Sequence, residues 1–314
     1  MVPGGEDARK LGRFRDDAAR RRFLTAYDAA LTFWPAPPTQ LDVETRYGPT
    51  HVLSSGPSKG TPIVLLHAIA VASPAWFADT AALSHSHPVY AIDTITDPGR
   101  STQTKRVRNG VDFAEWLVDV LAALDLARVH LVGLSYGGWL ALNQALRSPD
   151  RIASITSVDP PNAIGTPRAR FFVKMAPDSV LASLAKSDKA LHRLLRLLNN
   201  GTVPSQPLLD LSVAGLRTFR GKQPFPKRMT DAELRSIDVA ALLFFGERSP
   251  VNQARKAADR IRRCIPQAEI EVVPDAGHML PVEKPELFTR RVLTFIHRVD
   301  INDPATLRPP TTEP

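Results

Sequence analysis

Residues 129–142 read VHLVGLSYGGWLAL. An apolar run broken only by His130 leads into Gly133-Leu134-Ser135-Tyr136-Gly137, and a helix-like apolar pattern follows at once. The first part predicts a buried strand and the last part a helix, with only a sharp turn between them. Such a turn forces its central residue, Ser135, into a strained backbone conformation, and the small residues two before and two after make room for it. The serine hydroxyl then stands at the C-terminal edge of a sheet. The Tyr136 amide and the helix N-terminus face the same point, where negative charge on an oxygen would be stabilised.

Outward from this turn, strand-like and helix-like runs alternate. Strands are predicted at 61–68 (TPIVLLHA), 88–94 (PVYAIDT), 128–135, 152–160 (IASITSVDP), 238–247 (DVAALLFFGE) and 268–278 (AEIEVVPDAGH). Helices are predicted at 111–126, 136–149, 251–263 and 284–298. The alternation predicts an α/β fold with a mostly parallel central sheet flanked by helices. Residues 7–34 read as a basic amphipathic helix, with Phe23, Tyr27, Leu31 and Phe33 or Trp34 near helical spacing, closed by Pro35, Pro37 and Pro38. Residues 44–56 (ETRYGPTHVLSSG) read as a hairpin turning near Gly48. From 160 to about 236 there are helices and prolines but no convincing strand. The expected organisation is therefore an N-terminal helical extension (1–40), a core in two pieces (41–159 and 238–300), an inserted helical cap (160–237) and a proline-rich disordered tail (301–314).

Composition narrows the function. The chain has 314 residues, 43% of them hydrophobic, ample for a buried core. No apolar run approaches the roughly 20 residues that span a bilayer, and the charged N-terminus lacks an apolar signal core. Cys264 is the one cysteine, which excludes intrachain disulfides and fits a reducing cytoplasm. No His or acidic cluster has metal-ligand spacing, and no dinucleotide or phosphate-loop pattern occurs, so neither metal nor cofactor is implied. The net charge is +8, and residues 160–230 hold twelve Lys or Arg against three acids, Asp178, Asp188 and Asp210. This is either a solvated helical surface or a face for something anionic: an acidic substrate, an acidic carrier protein or a membrane surface. No nucleic-acid-binding motif accompanies the charge.

The segments YGPTHVLSSGP, VLLHA, YAIDTITDPGRS, HLVGLSYGGWLALN and DAGHMLPVEKPE occur in this order over residues 45 to 298. In them the chain resembles the α/β-hydrolase fold superfamily, and within it small bacterial serine carboxylesterases with a helical cap. The resemblance implies Ser135 as nucleophile and His278, in a Gly-His turn after a late strand, as general base. It implies that the loop after His67-Ala68 supplies a second oxyanion amide, from Ile69, beside that of Tyr136. Ala68 departs from the family's glycine and needs negative φ or some strain. His67 reads as a structural histidine pinning that loop. Phe171, Phe172, Met175, Leu181 and Leu184 are candidates for lining the substrate pocket from the cap.

The base needs an acid on its other nitrogen. The family's usual place for it, the third position after the glycine of LLFFGERS, holds Ser249. Two replacements are open: Glu247 in the same loop, and Asp159 at the end of ITSVDP, where some members of the superfamily carry the acid. Asp275 lies three residues before His278 and is worse placed; Asp93 reads as structural. A third possibility is no acid at all. The leading expectation is hydrolysis of a small-molecule ester or thioester through an acyl-enzyme. The alternatives are an acyltransferase, cyclase or thioesterase fed by a carrier-bound acyl group, and a non-catalytic binding protein.

Overall fold

In the computed structural model, which describes residues 11–165 and 187–302, the strand leading to Ser135 runs through the interior of an eight-stranded sheet. In chain order the strands among the described residues are β1 (Arg13–Phe14), β2 (Thr39–Val43), β3 (Thr50–Ser55), β4 (Ile63–Leu66), β5 (Val89–Ile92), β6 (Val129–Leu134), β7 (Ile152–Val158), β8 (Phe219–Arg220), β9 (Ala240–Gly246) and β10 (Glu269–Val273). The large sheet has the order β10-β9-β7-β6-β4-β5-β3-β2. From β10 to β5 every pairing is parallel; β3 and β2 are antiparallel at one edge. Every residue of β4, β6 and β7 is buried, as expected for parallel strands covered on both faces.

Helices supply the two covers. On one face Phe113 and Trp116 (helix Gly110–Ala123), Trp139 and Leu140 (helix Tyr136–Arg147) and Ile261 (helix Ala254–Cys264) join the strand side chains. On the other face are Phe23 and Tyr27 (helix Asp17–Leu31), Leu83 (helix Phe77–Leu83), and Phe288, Val292 and Phe295 (helix Pro285–Ile301). The sheet strands fall in two stretches of chain, 39–158 and 240–273. Between them the described residues form the helices Asp188–Leu198, Gln206–Thr218 and Asp231–Arg235. Among the described residues no helix is long and apolar enough to cross a membrane.

The N-terminal segment differs from its sequence expectation in a way that matters for the cap. Its helix covers Asp17–Leu31, starting where the Asp16 carboxylate accepts the Ala19 N–H at 2.7 Å and ending before Pro35. Ahead of it, β1 pairs antiparallel with β8, a two-residue strand in the stretch expected to have none. The Arg15 N–H donates to the Thr218 carbonyl at 2.9 Å, and the Phe14 ring meets Phe219 edge-on at 5.1 Å. Helix Asp17–Leu31 packs on helix Gln206–Thr218. The extension therefore braces the inserted segment. Two residues on each side carry this pairing, too few for any periodicity.

Three further differences are local. The hairpin's first strand is β2, at 39–43, and residues 44–49 make the turn, where the Thr45 hydroxyl donates to the Gly48 carbonyl at 2.7 Å. A short helix at Phe77–Leu83 follows a single turn at Ser73–Trp76. The last helix continues to Ile301, into the expected tail. The cap candidates Phe171, Phe172, Met175, Leu181 and Leu184, like residues 303–314, lie outside the described residues.

At the sheet end away from Ser135, the last helix is pinned by Asp300. Its Oδ1 faces His130 Nε2 at 3.1 Å and accepts the Thr61 hydroxyl at 3.0 Å, and His87 Nε2 lies 3.7 Å from Oδ2. Burial would raise this carboxyl, but the hydrogen bond from His130 and the nearby His87 ring overcome that and hold it well below its ordinary range. A depressed carboxyl adds stability above its unfolded pKa, near 4, and loses it as pH falls further. Asp300→Asn is expected to cost about 1–2 kcal/mol at neutral pH, discounted for partial exposure. The gap in thermal midpoint from the native chain should close below about pH 4. A gap independent of pH would show that packing, not charge, holds the helix.

Candidate active site

The turn after β6 has the strained form that its glycines allow. Ser135 sits at φ 56° and ψ −115°, and the helix begins at the next residue. A Cβ on Gly133 would stand 2.1 Å from the Gly137 carbonyl oxygen, and one on Gly137 would stand 2.0 Å from the Leu66 carbonyl oxygen. Backbone thus fills both places where a side chain would be, which is why the serine has glycine at each second neighbour. The Ser135 N–H donates to the Val158 carbonyl at 2.8 Å, and the Trp139 N–H donates to the Ser135 carbonyl at 3.0 Å. These bonds tie the turn to β7 and to its own helix.

His278 reaches this serine from the loop after β10. Its Nε2 lies 2.8 Å from Ser135 Oγ, and its Nδ1 lies 2.6 Å from Asp159 Oδ2. The tautomer that satisfies both has the proton on Nδ1, donated to the carboxylate, and a lone pair on Nε2 for the serine hydroxyl. The His278 N–H is held by the Leu198 carbonyl at 2.8 Å, at the end of a cap helix. All three side chains are buried, Asp159 completely.

Of the two acids open from the sequence, Asp159 and not Glu247 meets the histidine. Glu247 Oε1 is 2.9 Å from Arg255, and the Glu247 N–H bonds the Val273 carbonyl as its chain leaves β9. Asp275 pairs with Arg248 at 2.5 Å. Ser249, in the family's usual acid position, donates its hydroxyl to Asp159 Oδ2 at 2.5 Å. The Val251 N–H donates to Ser249 Oγ at 3.1 Å, which turns the hydroxyl hydrogen toward the carboxylate. Asn252 Nδ2 donates to Asp159 Oδ1 at 2.9 Å and to the Pro160 carbonyl at 3.1 Å. Asp159 therefore comes from the end of β7, while the β9 loop supplies the polar groups that hold it. Asn252 carried no sequence signal of its own; its place next to the Ser249 turn is the only clue.

Opposite the histidine, the loop after β4 is pinned as its sequence suggested. His67 Nδ1–H donates to the Ala68 carbonyl at 2.7 Å, and Nε2 accepts the Thr94 N–H at 3.0 Å. Ala68 does not take positive φ; Ala70 does, at 63°, and its N–H donates to Asp97 Oδ1 at 2.9 Å. Ala68 thus takes the first of the two courses open to an alanine there, negative φ, and the left-handed residue of this loop is Ala70. Burial pushes the Asp97 carboxyl up to about 6. Asp93 accepts from the Ser73 N–H and hydroxyl and from the Arg100 N–H, the contacts of a turn anchor.

Ile69, Tyr136, Ser135 and His278 together line a cleft of about 590 Å³, closed on the cap side by Leu198, Leu216 and the 219–226 segment. As first residue of its helix, Tyr136 has an N–H with no partner inside the helix. Its hydroxyl donates to the Pro224 carbonyl at 2.7 Å, joining the serine turn to the cap. Among the described residues no group of His, Cys, Asp or Glu is arranged to hold a metal ion.

A strained serine on a strand–helix turn, a histidine polarised by a buried carboxylate and a cleft over both can carry out acyl transfer. Comparison with known proteins agrees in kind. The chain is 34% identical over 284 residues to the carboxylesterase YbfK of Bacillus subtilis (strain 168), a match covering 88% of this chain and 93% of that protein. It is 31% identical to a protein of the same organism described as the uncharacterized carboxylesterase nap, over 88% of this chain and 92% of that one. The crystal structure of carboxylesterase CesB (YbfK) superposes with a TM-score of 0.81 at 32% identity, over 89% of this chain and 98% of the other. A family model described as the alpha/beta hydrolase family matches residues 63–291, and the chain belongs to that family.

Proposed function

We propose that this protein is a carboxylesterase that cleaves its ester, or a thioester, through an acyl-enzyme on Ser135. The observation that carries the reading is His278 suspended between Ser135 Oγ at 2.8 Å and Asp159 Oδ2 at 2.6 Å, in a chain related to named carboxylesterases. His278 Nε2 takes the serine proton as Oγ attacks the carbonyl carbon. The negative charge on the carbonyl oxygen is received by the N–H groups of Tyr136 and Ile69, both of which line the cleft beside Ser135. His278 returns its proton to the leaving alcohol. It then draws a proton from water, which attacks the acyl carbon and frees Ser135. Asp159 fixes the tautomer and stabilises the imidazolium. Ser249 and Asn252 position Asp159.

Serine at the turn argues against the epoxide hydrolase and dehalogenase chemistries, which in this fold use an aspartate there. The transfer reading drew on an altered acid and oxyanion loop and on the charge of the cap. With Asp159 on His278, the first of these no longer favours it. For the compartment we propose the cytoplasm, since the one cysteine, Cys264, is buried and unpaired.

A fluorophosphonate probe is expected to add once to the native protein and not to Ser135→Ala, read by intact-protein mass. No adduct on folded native protein would overturn the reading. Among the acids, Asp159→Asn is expected to lower kcat by about 10⁴, the scale of that change in serine proteases. Ser249→Ala, which strips one hydrogen bond from the carboxylate, should cost roughly ten- to a hundredfold. Glu247→Gln should stay within about twofold of the native rate, since its carboxylate pairs with Arg255 and not with His278. Equal losses at positions 159 and 247 would mean that the acid has been misassigned.

A further inference from the structure

The loop after β4 is gripped on both sides by a single turn. Residues 94–97 follow β5, and the Asp97 N–H donates to the Thr94 carbonyl at 2.9 Å, which closes that turn. Its first residue reaches one side of the loop: the Thr94 N–H donates to His67 Nε2 at 3.0 Å, and His67 Nδ1–H donates to the Ala68 carbonyl at 2.7 Å. Its last residue reaches the other side, where Asp97 Oδ1 accepts the Ala70 N–H at 2.9 Å. Ile69 lies between the two grips. The Ala68 carbonyl and the Ile69 N–H belong to one planar trans peptide and point opposite ways, so the bond to His67 also aims the Ile69 N–H. The next peptide unit carries the Ala70 N–H and is held by Asp97. The Ile69 N–H itself donates to no group among the described residues. An unused N–H with its neighbours fixed on both sides is what an oxyanion donor requires.

The cap bears on the same loop. Gln223 Nε2 donates to Asp97 Oδ1 at 3.2 Å, and Gln223, Asp97, Ile69, Ala70 and Ser135 line one cleft. Helix Gln206–Thr218 passes so close that a Cβ on Gly215 would stand 2.0 Å from the Ala70 carbonyl oxygen. One carboxyl oxygen thus joins the loop beside Ser135 to the segment that covers it. Asp97 is buried, and this burial raises its carboxyl more than the nearby His67 lowers it. Folding therefore disfavours the carboxylate at neutral pH, so stability alone does not account for an aspartate here.

We propose that Asp97 is the positioning residue of the oxyanion loop: it holds the Ala70 N–H, and with it the neighbouring Ile69 N–H, where the substrate's carbonyl oxygen gains its charge. It stands outside the hydrogen bonds that join Ser135, His278 and Asp159, and acts on the reaction only through the loop. Its bond to Gln223 makes the same carboxyl the point where a seated cap and a formed oxyanion loop meet. The inference rests on the esterase reading, with the Ile69 amide as second oxyanion donor. Such a donor acts on the transition state and hardly on the bound ester. Losing Asp97 should therefore lower kcat and leave KM little changed.

The test follows hydrolysis of p-nitrophenyl butyrate by the full chain, with active sites counted by the fluorophosphonate adduct taken to completion. Asp97→Ala removes the acceptor and should lower kcat per active site by about ten- to a hundredfold, short of the roughly 10²–10³ that follows outright loss of an oxyanion donor. Asp97→Asn keeps an acceptor oxygen for the Ala70 N–H and should recover most of that loss. An alkyl trifluoromethyl ketone, which adds to the serine as a charged hemiketal, should bind Asp97→Ala more weakly by a factor close to that in kcat/KM. The matching alcohol, which forms no oxyanion, should bind both proteins alike. If Asp97→Ala fails to fold by circular dichroism, Asp97→Leu, which fills the space but accepts no hydrogen bond, takes its place. A variant that loses thermal stability but keeps kcat per active site overturns the role, as does one that binds ketone and alcohol equally poorly. The adduct separates the two failures. A native protein that takes it, beside an Asp97→Ala variant just as fast, loses the role of Asp97 alone. A native protein that takes no adduct loses the esterase reading and this role with it.

Discussion

The Asp159 carboxyl has no surface in water, and a group so placed is tolerated only when hydrogen bonds meet it from several sides. Here His278, Ser249 and Asn252 meet it. Much else follows from that requirement. The β9 loop must turn tightly enough to point Ser249 and Asn252 at the end of β7, and the Ser249 N–H bond to the Gly246 carbonyl makes that turn. The β10 loop must present His278 from the other side, and the Leu198 carbonyl holds its backbone there. Ser135 then has its histidine partner because the carboxyl holds the ring.

The exchange between positions 159 and 249 shows how such a site can shift without loss of geometry. In the sheet order β9-β7-β6, the strand carrying Asp159 lies between the strand carrying Ser249 and the strand leading to Ser135. A carboxyl at the end of β7 and a serine in the β9 loop come within 2.5 Å of each other. One position supplies the acid and the other the hydrogen bond that supports it.

The cap, in turn, depends on the N-terminal segment. β1 pairs with β8, and helix Asp17–Leu31 packs on helix Gln206–Thr218, so the cleft's upper wall is braced by residues far away in the chain. Leu216 and the 219–226 segment, which line the cleft, sit directly on this brace. The cap's position over the serine is thereby set in part by residues 13–31, nearly 200 positions earlier in the chain.

Much of the fold was legible because its signals are local. Buried parallel strands read as continuous apolar runs, and Gly133 and Gly137 announce the serine turn because nothing larger fits beside its backbone. Ser135 and His278 could be picked out from the residues next to them. The acid could not, since Asp159 and Glu247 offer the same carboxylate and each follows a strand. Strand order alone brings one of them to the histidine. The β1–β8 pair, two residues on each side, was equally silent, because it depends on no repeating pattern. The sequence by itself determined the kind of fold, the nucleophile turn and the histidine, through backbone sterics and hydrophobic periodicity acting over a few residues. Only the tertiary structure decided the acid and the brace of the cap, because each is a contact between side chains or strands that chain distance separates and burial brings together.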